Sequence, residues 1–598
     1  LAGGGGFRLG RGRAAGGPEP PAEPEPGSTD YQLSGGYRFS ALDLLVPAAI
    51  FLVVFVPDAR SLAGRSFLQE SLLHWDFYAM GPALAFSHGR ALATDAYAMY
   101  GLGWPALFGG LAGWMPLSFA RMMQIGSLYA CLYFAGFYLL LRLLVRRPGL
   151  AALGTGVAML QLFLGFHSEV IWMAPSITVM RWPFDVWCLV ALVLYSRTGG
   201  RPWALAAGLA IGLGIVFSTD TGLYLGAAAG LWWLATLWAS PDRPGVMVDG
   251  LVAGAAGLAV LVAGLAVASR GTLFSEAFLR GWVEPLADYR GGFAQLPLST
   301  FPNRATVALF AALFLGYLAT LIWALARITA REAGVAETFF ASVSVYGLLT
   351  LLHFVGRSYD HTPLRLLIPM VLLGAVAAGR ALDRYDAGPD GSARRHRVGR
   401  FGPLAVAGVG VVAALLLPHR WLVDPVAAYP SALRSAAVGT PDRRLCLLTD
   451  PDDICGLLAA MGPAVERVNA IAARLREADR AGRTVAVVDE SGSLWYLAAG
   501  VAPAHRNPRM FIDIYREQKL RDTLEALRRD PPEVVLTRRA LSPDDPALSA
   551  WPPGSFGLGP SPGSLYPDTW EAMTRFLGDR YRLEETLDPF EIWTLRES

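Results

Sequence analysis

Long apolar runs dominate the first two thirds of the chain. The first, 41–57, is near the minimum of about 17–25 residues that a membrane crossing needs. Ten more follow, at roughly 119–145, 149–166, 179–196, 202–218, 221–240, 246–268, 305–327, 337–355, 364–383 and 401–417. The pattern predicts a multi-span α-helical membrane protein with about 11 transmembrane helices. A shorter apolar piece, Trp104–Trp114, cannot span and reads as lying along the interface, where Trp and Pro are at home. Past 418 the pattern changes. LCLLTD (445–450), VAVVD (485–489) and EVVLT (533–537) are short β-branched runs suited to buried parallel strands. Ala464–Ala481 and Phe511–Arg529 keep helical spacing, with Ile514, Leu520, Leu524 and Leu527 on one face. The closing YRLEETLDPFEIWTL alternates around Asp588-Pro589 as a hairpin would. No glycine-rich phosphate loop follows any of these strands, which argues against a nucleotide site there.

Composition agrees. Hydrophobic residues make up 53% and charged residues only 17%, against about 25% charged in soluble domains, so solvated surface is scarce. The net charge of +2 excludes a polyanion or nucleic-acid partner held by bulk charge. The charges are unevenly spread: 22 basic and 26 acidic residues fall in 418–598, and 29 and 23 in the longer remainder. Orientation follows from arginine. One side collects Arg8, Arg11, Arg13 and Arg38, the loops with Arg142, Arg146, Arg147, Arg197, Arg201, Arg327 and Arg331, and RALDRYDAGPDGSARRHRVGR with six arginines. That side reads as cytoplasm. The expected organisation is a disordered cytoplasmic tail over 1–36, without the apolar core of a signal peptide. A transmembrane domain over 37–417 with periplasmic loops 58–118 and 269–303 follows, then a soluble extracytoplasmic α/β domain over 418–598. Cys131 and Cys188 sit in apolar runs and read as packing residues, while Cys446 and Cys455 can pair if their region is extracytoplasmic.

Polar groups at the outer span ends are the candidates for chemistry. In LLHWDFYAMGPALAFSHGRALATDAYAMYGLGWP, helical spacing sets His74, Asp76 and His88 near the membrane surface. Asp76, between Trp75 and Phe77, is desolvated enough to serve as a base, or is the solvated carboxylate of an ordinary interface helix. Glu169 and Arg181 flank the start of a span. Asp220 in FSTDTGLY is a helix cap or a site residue. VGRSYDHTPLRLLIP brings Arg357, Asp360, His361 and Arg365 to one outer mouth, where paired guanidinium forks suit a lipid-linked phosphate; snorkelling is the plainer account. The 269–303 loop adds Arg280, Glu284, Asp288 and Arg290, with Trp282, Tyr289 and Phe293 to stack on a sugar. No metal-binding spacing occurs, and Asp360/His361 leaves a divalent metal open.

Taken in order, these segments resemble the GT-C superfamily of bacterial membrane glycosyltransferases. Asp76 matches that family's first-loop carboxylate, and Tyr100-Gly101-Leu102-Gly103-Trp104-Pro105 matches its "YGPxxP"-like stretch. GRSYDHTPLRLLIP is similar to the "GR…P" element of some members, and VVDESGSLWYLAAG, a helix and DPPEVVLT follow in a similar order. Many members carry paired carboxylates in the first loop, whereas Phe77 follows Asp76 here; Asp95, Glu169 or Asp220 would have to supply the second. The resemblance implies an inverting transfer of sugar from a polyprenyl-phosphate donor to a cell-envelope glycan, lipid or protein, on the outer face of the bacterial inner membrane. Asp76 would be the general base, with His74, Tyr100, Glu169, Arg181, Asp220, Glu284, Arg290, Arg357, Asp360, His361 and Arg365 as substrate-binding candidates. The rival readings are a transporter or flippase of lipid-linked sugar, which would place charges near mid-membrane within repeats, and a non-catalytic envelope-assembly protein.

Overall fold

The structure, a computed structural model, describes residues 39–55, 72–161, 175, 178–290, 304–332, 334–356, 366–386, 464–489, 492–504, 517–538 and 566–596. The tail over 1–36, the span expected at 401–417, the strand expected at 445–450 and both Cys446 and Cys455 lie outside them.

The chain begins with α1 (Leu42–Val54). Next, α2 (Leu72–Trp75), a π-helical stretch (Asp76–Met80) and α3 (Gly81–Ser87) run on without a break. α4 (Gly103–Leu111), α5 (Phe119–Leu144) and α6 (Pro148–Met159) follow, then a 3-10 turn (Val179–Arg181) and α7 (Asp185–Thr198). α8 (Arg201–Phe217), α9 (Thr219–Ala239), α10 (Arg243–Ser269) and α11 (Glu276–Arg290) come next. The helical part closes with α12 (Arg304–Thr329), α13 (Val335–Thr350), α14 (Leu352–Gly356) and α15 (Ile368–Asp386).

Among the described residues five stretches are long and apolar enough to cross a membrane: Arg121–Leu144, Thr219–Ala239, Arg243–Ser269, Val307–Thr329 and Val335–Val355. Leu42–Val54, Pro148–Met159 and Arg201–Phe217 are apolar but shorter. The span expected over 179–196 starts late, because a 3-10 turn over Val179–Arg181 and Pro183 precede the helix. At about 1.5 Å per residue, α7 reaches only about 21 Å, less than the roughly 30 Å of a hydrocarbon core.

At one end of the bundle, helix termini carry arginines tied to buried carboxylates. Arg142 donates to Asp43 at 2.7 Å, with the Tyr138 hydroxyl on the same carboxylate at 2.8 Å. Arg201 meets Asp249 at 2.9 Å, and Arg380 meets Glu337 at 2.9 Å. The segment 72–116 packs on the opposite end, where Leu92 N–H donates to Ala268 and Arg270 to the Phe86 carbonyl.

The C-terminal part contributes α16 (Ala464–Arg480), β1 (Val485–Val488), α17 (Gly492–Ala499), α18 (Glu517–Arg529), β2 (Val534–Arg538), α19 (Tyr566–Arg580), β3 (Tyr581–Leu587) and β4 (Phe590–Leu595). The sheet order is β1-β2-β4-β3, parallel between β1 and β2 and antiparallel elsewhere. Side chains alternate across it. Val485, Val487 and Leu536 face α16 and α17 in a core continuous with that of the bundle, while Ala486, Val488 and Val535 pack on Leu524, Leu527, Met573 and Phe576. The β3–β4 hairpin turns at Asp588-Pro589, as the alternation predicts.

Candidate functional site

Asp76 opens the π-helical stretch, in which the Gly81 N–H reaches back to the Asp76 carbonyl. That fifth-residue bond adds one residue to the turn and re-aims what precedes it, a form often found at functional sites. Asp76 is only 2% exposed, so it is not the solvated carboxylate of an interface helix. Its Oδ2 accepts the backbone N–H of Ser493, at the start of α17, at 3.1 Å. Glycine at 81 eases this approach: a Cβ there would stand 3.0 Å from Asp76 Oδ1 and 3.2 Å from Ser493 Oγ. His74 lies two residues before Asp76 and is half-buried.

From the same stretch, Tyr78 donates its hydroxyl to the Met180 carbonyl at 2.7 Å, and Trp104 Nε1 donates to that carbonyl at 3.0 Å. Burial holds the Tyr78 phenol protonated well above its usual range. These two bonds fix the 3-10 turn that carries Arg181. The guanidinium, 1% exposed, lies 3.9 Å over the Tyr100 ring and donates to Asp220 Oδ2 at 2.5 Å. The Arg181 carbonyl in turn accepts the Thr221 hydroxyl at 2.8 Å.

Asp220 therefore does not cap α9. Ser218 occupies the cap position, without a side-chain cap bond, and gives its hydroxyl to Asp220 Oδ1 at 3.3 Å. The YGLGWP stretch is held against the α8–α9 corner: Leu102 N–H donates to Val216 and Thr219 N–H to Tyr100, both at 2.9 Å. A Cβ at Gly101 would fall 2.6 Å from the Phe217 carbonyl oxygen, so only glycine lets the two backbones meet. Trp104 is buried inside this joint rather than lying on the interface, whereas Trp114 is 91% exposed. Within the 269–303 segment, Glu276–Arg290 form α11, and its Trp282 Nε1 donates to Thr219 Oγ1 at 3.3 Å.

Of the sequence-derived candidates, the structure joins Tyr100, Arg181 and Asp220 directly, with Asp76 tied to them through Tyr78. Glu284 lies on α11, partly exposed. The side chain of Arg290 is outside the described residues, as are Glu169, Arg357, Asp360, His361 and Arg365. Among the described residues no group of three or more His, Cys, Asp or Glu is placed to hold a metal ion.

Sequence reasoning passed over Ser493 and Asp185. Asp185 is buried at the start of α7 and accepts from the hydroxyls of Tyr346 at 3.1 Å and Tyr133 at 3.4 Å. A small cavity beside it is walled by Tyr133, Trp182, Tyr346, Leu366 and Pro369. A lone carboxylate inside an expected span was the signal available. Ser493 offered none, because its partner lies 417 positions away.

No family model matches the sequence, and no curated protein matches it. Among solved structures, the chain is similar to the apo form of the Archaeoglobus fulgidus oligosaccharyltransferase, at 12% identity and a TM-score of 0.45, covering 83% of this chain and 69% of that one. It is also similar to ArnT from Cupriavidus metallidurans bound to undecaprenyl phosphate, at 13% identity and a TM-score of 0.47, covering 93% of this chain and 98% of that one.

Proposed function

We propose that this protein is a membrane glycosyltransferase of the GT-C kind, moving a sugar from a polyprenyl-phosphate donor to a cell-envelope glycan, lipid or protein. The observation that carries the reading is a buried carboxylate on a π-helical turn, at one end of an apolar helical bundle, whose neighbour Tyr78 bonds the turn that carries an anchored arginine. Asp76 removes the proton from the acceptor hydroxyl as its oxygen attacks the anomeric carbon in line. The glycosidic C–O bond to phosphate breaks, and the polyprenyl phosphate leaves as a stabilised anion that needs little acid assistance. The proton passes from Asp76 to water afterwards. Inversion at the anomeric carbon follows from a single displacement.

Cationic forks hold the donor phosphate while its tail stays in lipid. Arg357 and Arg365 are proposed for this task, with Arg181, set by Asp220 and Tyr100, fixing the wall of the site. In this reading the N-terminus is cytoplasmic, the bundle crosses the inner membrane about eleven times, and the site and the C-terminal α/β domain lie on the outer face.

The test is release of free polyprenyl phosphate by the purified full chain from a panel of polyprenyl-phosphate sugars. Asp76→Asn lowers turnover by roughly 100-fold or more, the range of a lost general base. A variant that turns over at the wild-type rate removes Asp76 from the role. Translocation of the intact donor across proteoliposomes, with no release, would assign the protein to transport instead.

A further inference from the structure

The contact between Asp76 and Ser493 joins residues of the bundle's end segment to the C-terminal α/β part. We propose that Ser493 is a positioning residue for Asp76, so that the active site is divided between the two parts and is incomplete without α17; this rests on the reading of Asp76 as the base.

Three observations support it. First, the bond is made by a backbone N–H in the first turn of a helix that directly follows β1, so its direction is fixed by the sheet and not by a side-chain rotamer. Second, α17 is itself anchored from both sides. Val487 N–H of β1 donates to the Tyr496 hydroxyl at 2.8 Å, and Trp495 Nε1 donates to Asp489 Oδ2 at 3.0 Å. Burial and the Asp76 charge hold the Tyr496 phenol protonated above its usual range, with Arg90 opposing them, so Tyr496 stays neutral beside the carboxylate. Third, Gly81 packs against both groups: a Cβ there would stand 3.0 Å from Asp76 Oδ1 and 3.2 Å from Ser493 Oγ, so the two parts meet closely at this point. The Ser493 hydroxyl is fully buried and has no hydrogen-bond partner among the described residues. The serine side chain therefore adds nothing to the contact, and its backbone N–H is what matters.

The substitutions separate these roles. Ser493→Pro deletes the N–H at a first-turn position where proline is tolerated. It is expected to lower kcat by roughly 10- to 100-fold, the loss of one hydrogen bond to a charged group. KM for the donor changes little. Ser493→Ala keeps the N–H and restores turnover. In an Asp76→Ala background, Ser493→Pro produces no further loss of the residual rate, because its effect passes through the carboxylate. Gly81→Ala, favourable to the helix itself, wedges the same contact and also lowers kcat. A donor-free measurement runs beside these: the Tm losses of Asp76→Ala and Ser493→Pro in the detergent-solubilised full chain are less than additive.

The proposal is overturned if Ser493→Pro keeps the wild-type kcat while Asp76→Asn is inactive. It is equally overturned if Ser493→Pro lowers the Asp76→Ala residual rate by the same factor, or if the Tm losses simply add. An Asp76→Asn protein with wild-type turnover is a different failure, that of the base assignment.

Discussion

A guanidinium that is 1% exposed and a carboxylate that is 13% exposed share one ion pair at the Arg181–Asp220 contact, and the asymmetry sets what each substitution does. Asp220→Ala leaves a cation where water cannot reach it, and the Tyr100 ring does not replace a full negative charge. The expected loss is about 3 kcal/mol, the order seen when a buried pair is broken from one side. Arg181→Met leaves the partner nearer to water and costs less, and the double variant recovers part of the difference. Melting curves of the three purified proteins check the ranking; equal losses for the two single variants would contradict it. Tyr581 makes a second, pH-dependent case. Burial pushes its phenol up to about 12, and its hydroxyl has no partner among the described residues. The unfolded chain gives up this proton from about pH 10 and the folded chain keeps it until about pH 12. Stability from this group is thus whole below pH 10 and falls as pH climbs through that window. Tyr581→Phe is expected to lose less stability than wild type between those limits, as read by Tm, and to be neutral or slightly stabilising at pH 7.

Individual elements show best what was legible in the sequence. β1 and β2 were readable because four consecutive buried β-branched or aliphatic residues suit little else, and the observed strands match the expected runs within a residue. The hairpin was readable from alternation. The π-helical turn was not, since nothing local distinguishes DFYAM from an ordinary helical turn. Nor was the Arg181–Asp220 pair, whose members are 39 positions apart and come from different connections. Asp76 stood out in the sequence as a carboxylate between two aromatics, but its contact with α17, far along the chain, was not legible there. YGLGWP was noticed as a motif, yet its physical basis, the touching backbones of Gly101 and Phe217, is a tertiary fact. Gly101→Ala should therefore act on the whole corner. A Cβ 2.6 Å from a carbonyl oxygen must push the segment 100–105 off the α8–α9 junction. A destabilisation of about 1–3 kcal/mol, with faster hydrogen exchange at Leu102 and Thr219, is the expected result. Unchanged protection of these two amides would show that the joint absorbs the methyl group.

Across the whole molecule, the Asp76–Ser493 bond is also a statement about sidedness. Two groups in hydrogen-bond contact cannot be on opposite sides of a membrane, so the end segment 72–116 and the α/β part are expected to lie on the same side. Arg243 starts a helix at the opposite end. In a chain whose native cysteines are replaced, single exposed substitutions report this directly. His88→Cys and Arg529→Cys are expected to react with a membrane-impermeant maleimide from the same side, and Arg243→Cys only from the other. Labelling of His88→Cys and Arg529→Cys from opposite sides would be incompatible with the fold.

The π-helical turn has a genetic consequence. It is one residue longer than the α-helical turn it replaces, so the aim of Asp76 depends on how many residues stand between it and Gly81, and not only on which ones. Deleting Ala79 would let the stretch relax to an ordinary α-helical turn, with the flanking helices nearly in register but the bulge between Asp76 and Gly81 gone. The fit of the carboxylate against Gly81 and Ser493 would change with the Asp76 codon intact. A library of substitutions across 76–80 would pass over that dependence, whereas a library of single-codon deletions would expose it.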